Sequence, residues 1–174
     1  MHDVAALTLG SPSAIRWDTA RLPARLRVDV TAIHVKAGRM RADEVAAKFR
    51  LPGPLERSTL GEADAFWLAP GEWLLLTPDQ DARAMRDLRT RAAQSGVAAS
   101  PCGDRLIVLQ LDASNDILAR LTGLTGEALG PGRVARTRLA DIPVILAAEP
   151  DAQMLLIFDG TFAVHLHGWL DRAF

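Results

Sequence analysis

The 174 residues contain one cysteine, Cys102, so no disulfide can close within the chain. The start, Met-His-Asp-Val, has neither the basic region nor the long apolar stretch of a signal peptide, and a cytoplasmic protein is expected. Long hydrophobic runs are also missing. Ile142 to Ala148 is among the longest, is interrupted by Pro143, and falls far short of the roughly 18 to 20 residues that a membrane-spanning helix needs. An excess of one charge is absent too: the formal net charge is -1 and the sequence pI about 6.4. A protein whose main task is to neutralise phosphates carries a basic footprint, so nucleic acid is not an expected partner. The one basic stretch, Lys36 to Arg50, is broken by Asp43 and Glu44 and reads as a solvated helix face.

Catalytic signatures are as scarce. A hydrolytic triad announces itself through a Gly-x-Ser-x-Gly elbow between strand and helix, and the chain has none. Gly130-Pro131-Gly132-Arg133 precedes a strand, whereas phosphate loops lead into a helix, so it reads as a turn with Arg133 and Arg136 exposed beside it. His165 and His167 are the one close histidine pair. On a helix that spacing separates the rings by about 200° and disfavours joint metal ligation. His34 reads as a lone strand histidine. Cys102, in Ser100-Pro101-Cys102-Gly103, reads as a half-buried thiol at a strand start. Glu72 is the acid to examine, with hydrogen bonds from turn amides as its expected role. No catalytic, cofactor-binding or metal-ligating residue is assigned from the sequence.

What is present is an ordinary folding composition, 49% hydrophobic and 24% charged, at a length suited to one domain spanning 1–174. Two subdomains, about 24–103 and 104–174, are a further expectation. Near-alternation over Leu26 to Lys36 predicts a half-buried strand, with a bulge at the phase slip Ala32-Ile33. Arg41 to Phe49 follows as a helix ended by Pro52-Gly53-Pro54, and Leu55 to Glu62 reads as loop. Ala65 to Leu68 and Glu72 to Thr77, joined by Ala69-Pro70-Gly71, form a predicted hairpin flanked by Trp67 and Trp73.

From Asp79 or Asp81 to Gly96 the positions Ala82, Met85, Leu88 and Ala92 describe an amphipathic helix. Arg105 to Leu111 is a strand, and Ser114 caps a helix that stops at Gly123. Strands are then expected at Val134 to Leu139, Pro143 to Ala148 and Gln153 to Phe158, the last two joined by Glu149-Pro150-Asp151. A final helix capped by Thr161 carries Phe162, Leu166, Trp169 and Leu170. This order suits an α+β protein of mostly antiparallel sheets with helices on one face, in two related halves.

Phe66-Trp67-Leu68-Ala69-Pro70-Gly71-Glu72-Trp73-Leu74-Leu75 resembles the Trp-Leu-Gly-Pro-Asp-Glu-Trp-Leu segment of the gamma subunit of heterotetrameric sarcosine oxidase. Three more segments are similar in the same order. Leu111 to Gly123 is like a strand and helix ending Leu-x-Gly. Gly130 to Ala140 is like a Pro-Gly-x-x-x-x-Thr-x-Leu-Ala run, and Phe162 to Phe174 is like a closing helix with Trp169-Leu170. Gly71 departs from the family, where an Asp is usual.

The resemblance implies the fold of the folate-binding domain of the glycine-cleavage T protein. It also implies a non-catalytic gamma subunit in an enzyme that demethylates sarcosine to glycine and passes the methylene group to tetrahydrofolate. On that basis the partners are alpha, beta and delta subunits. FAD, FMN, NAD, tetrahydrofolate and zinc belong to those partners and none to this chain. Two alternatives share the fold: a folate- or pterin-binding module, or a subunit of an oxidase for a related N-methyl amine. An iron-sulfur assembly factor of the same superfamily is a minor reading, because the surroundings of Cys102 lack its cysteine motif.

Overall fold

Leu74, Leu75 and Leu76 are all buried, and so is every residue from Met154 to Phe158. Successive strand side chains point to opposite faces, so an unbroken buried run requires cover on both faces of its sheet. The structure, a computed structural model, describes residues 17, 24–27, 30–38, 41–78, 82–111, 122–124, 126–149 and 153–173, and supplies that cover twice.

One five-stranded sheet runs in the order β3 (Arg57–Leu60), β4 (Ala63–Ala69), β5 (Glu72–Pro78), β2 (Val30–Lys36) and β6 (Ala98–Pro101). The other runs β1 (Ala24–Leu26), β7 (Leu106–Leu111), β10 (Met154–Asp159), β9 (Ile142–Ala148) and β8 (Val134–Leu139). Every pairing described is antiparallel. The facing surfaces of the two sheets share one apolar layer, in which Ala32, Phe66, Leu74 and Leu76 meet Val108, Val134, Ala147, Leu155 and Ile157.

Helices α1 (Ala42–Phe49) and α2 (Ala82–Gln94) cover the outer face of the first sheet. Val45, Phe49, Leu88 and Ala92 pack there on Ile33, Val35, Trp73 and Leu75. Helix α3 (Ala163–Ala173) lays Ala163, Leu166 and Leu170 on the outer face of the second, with Leu109, Leu156 and Phe158. The α+β expectation is met in this layered form, with each sheet carrying its helices on the face turned away from the other.

The two halves repeat one topology. In the first, β2 is followed by β3, β4, β5, α2 and β6, with β2 lying between β5 and β6. In the second, β7 is followed by β8, β9, β10 and α3, with β7 lying between β10 and β1. Strand β1 takes the place that β6 holds in the first half but arrives from the other end of the chain.

Several expectations are corrected. Leu26 to Lys36 is two strands in two different sheets, since β1 pairs with β7 while β2 pairs with β5 and β6. The slip at Ala32-Ile33 is no bulge, because the register from Val30 to Lys36 is continuous. Both residues are buried because both faces of β2 are covered. A register shift falls instead in β4, between Trp67 and Ala69. Leu55 to Glu62, read as loop, contains β3, an edge strand too polar to alternate. Cys102 follows β6 and precedes a 3-10 turn, Gly103–Arg105, rather than starting a strand. The helix predicted from Ser114, the caps at Asp79 or Asp81 and the turn residues Pro150 and Asp151 lie outside the described residues.

The cap of the last helix also moves. Asp159, not Thr161, caps the 3-10 turn Gly160–Phe162 that leads into α3, accepting from the Thr161 N–H at 3.0 Å and from its hydroxyl at 2.8 Å. The Thr161 hydrogen bonds, backbone first, hold the Asp159 carboxyl below its ordinary value, and Arg105 at 3.1 Å adds to them. The folded-state value is therefore depressed relative to the unfolded chain, and the carboxylate contributes stability above about pH 4 that is lost as the pH falls below it. Asp159→Ala is expected to cost about 1 kcal/mol at neutral pH. Urea titrations of variant and parent at several pH values should converge in acid; a gap that persists there contradicts this assignment.

Candidate functional site

The turn of the β4–β5 hairpin is set by Gly71. Its φ is +79°, a region open to glycine at little cost, and a Cβ there meets the Ala37 carbonyl oxygen at 2.7 Å. Ala37 in turn donates to the Gly71 carbonyl at 2.8 Å, so the turn is fastened to the end of β2. A side chain at this position therefore requires the turn or the end of β2 to shift. Gly71→Asp should cost about 1 to 3 kcal/mol, read from the thermal midpoint, and an unchanged midpoint contradicts the close approach.

That fastening brings Glu72 opposite Lys36, with His34 two residues away on the same face of β2. Lys36 Nζ lies 2.9 Å from Glu72 Oε1, and His34 Nε2 lies 3.7 Å from Glu72 Oε2. The His34 Nε2 atom is buried and makes no hydrogen bond. From the facing sheet Arg136 reaches across to the Leu68 carbonyl, 3.3 Å from Nη1, and adds positive charge near Glu72. The hydrogen bond from Lys36, with smaller contributions from the Lys36, His34 and Arg136 charges, holds the Glu72 carboxyl below its ordinary range against the opposing effect of burial.

A carboxylate held ionised in this way is a poor general acid or base near neutral pH. Glu72 is half-buried and bonded to Lys36, not to the turn amides expected from the sequence. Its role is an electrostatic tie at the polar end of the layer between the sheets.

The other residues singled out by sequence are dispersed. Trp73 is buried in the helix-covered core and its Nε1 donates to the Pro52 carbonyl at 2.9 Å, whereas Trp67 is half-buried. Burial pushes the Cys102 thiol up, which disfavours the reactive thiolate. His165 is exposed on α3, and His167 packs edge-on against Trp17 at 5.5 Å. Among the described residues no three His, Cys, Asp or Glu side chains converge as metal ligands. No helix among them is long and apolar enough to cross a membrane. In the basic stretch, Arg41 binds the Ser95 carbonyl and Glu44, and Lys36 holds Glu72, so part of it ties structure together.

Sequence reading missed Arg57. At 11% side-chain exposure it donates to Asp64 of β4 at 2.8 Å and, in the other sheet, to the Ala148 carbonyl at 2.6 Å and to Glu149. Its guanidinium also lies 5.5 Å from the centre of the Phe66 ring. Beside it the backbones of Glu56 and Arg133 form an isolated antiparallel bridge, with Arg57 N–H donating to the Gly132 carbonyl at 2.9 Å and Val134 N–H to the Leu55 carbonyl at 3.0 Å, which joins the edges of the two sheets at this corner. Further along β8 a cleft of about 490 Å³ opens, lined by Thr122, Arg136, Thr137, Arg138, Pro143 and Val144.

No protein-family model matches the chain, and no curated protein matches it. Among solved structures it is similar to a chain of the heterotetrameric sarcosine oxidase from Corynebacterium sp. U-96 in complex with pyrrole 2-carboxylate. There the identity is 22% and the TM-score 0.74, over 87% of this chain and 83% of that one. It is also similar to the glycine cleavage system aminomethyltransferase T from Bartonella henselae, at 16% identity and a TM-score of 0.64, over 88% of this chain and 46% of that one. The protein thus spans about half of the T protein, and it has the fold that these two proteins share.

Proposed function

We propose that the protein is a non-catalytic subunit, of the gamma type, in a heteromeric amine oxidase related to sarcosine oxidase. The observation that carries this reading is the likeness to one chain of a heterotetrameric enzyme over most of both chains, 87% of this one and 83% of the other. The T protein likeness covers under half of that longer chain, so it speaks for shared ancestry of a domain. The ionised, cation-paired Glu72 and the thiol held protonated at Cys102 fit a scaffolding role. On this reading the protein is cytoplasmic, its partners are alpha, beta and delta chains, and FAD, FMN, NAD, tetrahydrofolate and zinc are bound by them. The substrate of the assembly is sarcosine or a related N-methyl amine.

Coexpression with the alpha, beta and delta chains of such an oxidase, followed by native mass spectrometry, tests it. One copy of this chain in a flavin-containing complex is expected, and a chain that stays monomeric beside competent partners refutes the proposal. The T protein likeness favours a second reading, a folate- or pterin-binding module. Saturable quenching of tryptophan fluorescence by folates, in the isolated chain, would establish that reading in its place.

A further inference from the structure

Among the described residues strand β8 ends its sheet, with β9 as its one neighbour there. Arg138 lies opposite Pro143, which has no N–H to give, and Val134 N–H points away from β9 to the Leu55 carbonyl. Residues of an antiparallel pair alternate between bonding inward and outward, so Arg136 and Arg138 share the outward phase of Val134. Their N–H and C=O groups face the open edge, while Ala135, Thr137 and Leu139 hold the ladder to β9. The guanidinium groups of Arg136 and Arg138 are exposed on the same face of β8, and each is steadied by a backbone carbonyl, Leu68 at 3.3 Å and Asp141 at 2.9 Å. One Arg N–H is used in each case, and a guanidinium has four more. Among the described residues no carboxylate lines the adjoining cleft.

We propose that this edge docks an extended, acidic segment of a partner chain, added to the second sheet as a further strand. The proposal rests on the subunit reading above. Its occupant follows from charge and spacing: Asp or Glu at alternate positions falls opposite Arg136 and Arg138, where paired guanidinium and carboxylate groups add to the main-chain bonds. A second copy of this chain is a poor occupant, because β8 against β8 sets arginine beside arginine.

The probe is a fluorescein-labelled heptapeptide of alternating Glu and Val, titrated into the full-length protein by fluorescence anisotropy. A peptide of the same composition with its Glu residues in one block is the control. Saturable binding is expected for the alternating peptide, weakened by salt and weakened about tenfold or more by the double variant R136E/R138E. Arg138→Ala removes one charge, whereas Arg138→Pro also removes an outward N–H while sparing the ladder to β9, so the proline variant should bind several-fold more weakly than the alanine one.

Failure of the alternating peptide to bind, equal binding of the blocked peptide, or equal loss in the Ala and Pro variants overturns the proposal. The arginines would then serve to keep the edge from aggregating. In the coexpressed complex, an Arg138→Pro chain that assembles as well as its parent likewise overturns it while leaving the subunit reading intact. If the parent chain itself does not assemble, the subunit reading fails, and the peptide titration decides what the edge binds.

Discussion

Replacing Trp73 by alanine is expected to lower stability by about 3 to 5 kcal/mol, a large part of what a domain of this size possesses. The indole is 2% exposed and sits in the helix-covered core with Val35, Val45, Phe49 and Leu51. Its removal costs the transfer energy of the largest apolar side chain and leaves a cavity that β5, held on both sides by β2 and β4, cannot collapse to fill. The Nε1 bond to the Pro52 carbonyl adds a second loss, since it ties the segment after α1 to the sheet. Trp73→Phe keeps most of the apolar volume but leaves that carbonyl without its donor, so a cost of about 1 to 3 kcal/mol is expected. Urea midpoints at unchanged slope measure both. A Trp73→Ala chain of near-parental stability would contradict this assignment of Trp73 to the core.

The sequence disclosed most of what short-range pattern controls. The Trp67 to Trp73 hairpin, the strands β7 to β10 and all three described helices follow from alternation, helical spacing and turn residues within a few positions. Two-sided burial was harder to see. Ala32-Ile33 breaks a two-residue alternation and suggests a bulge, whereas the run Leu74-Leu75-Leu76 carries the correct message, that both faces of the sheet are covered. Strands β3 and β6 escaped because Arg-Ser-Thr-Leu and Ala-Ala-Ser-Pro are short edge strands without a period. Their partners, not their composition, make them strands. Asp159 and Thr161 are both capping residues two positions apart, and local sequence does not say which side chain accepts. The tie at Glu72 was half legible, since Glu72 could be singled out, but its pairing with Lys36 depends on the register of β5 against β2.

Arg57 was the least legible residue and carries the second large prediction. It lies 92 positions from Glu149, and only the meeting of two sheets brings the two together. Arg57→Ala is expected to cost about 3 to 5 kcal/mol, because it leaves the Asp64 and Glu149 carboxylates and the Ala148 carbonyl partly desolvated and without their donor. Arg57→Lys should recover little, since one ammonium group cannot span the two carboxylates and a carbonyl as the planar fork does. The decisive comparison is the neutral triple variant Arg57→Met, Asp64→Asn, Glu149→Gln. If the damage in Arg57→Ala comes from stranded charge, the triple variant regains a large part of the loss, because the intact triad has itself to offset the desolvation of three ions. If the triple variant is as unstable as Arg57→Ala, the guanidinium acts mainly through packing on Phe66 and the Ala148 bond. Denaturation midpoints of the single, double and triple variants separate the two through their coupling energies. Either way Arg57 bridges the corner where the edges of the two sheets meet, Asp64 belonging to one sheet and Glu149 following the last residue of β9 in the other.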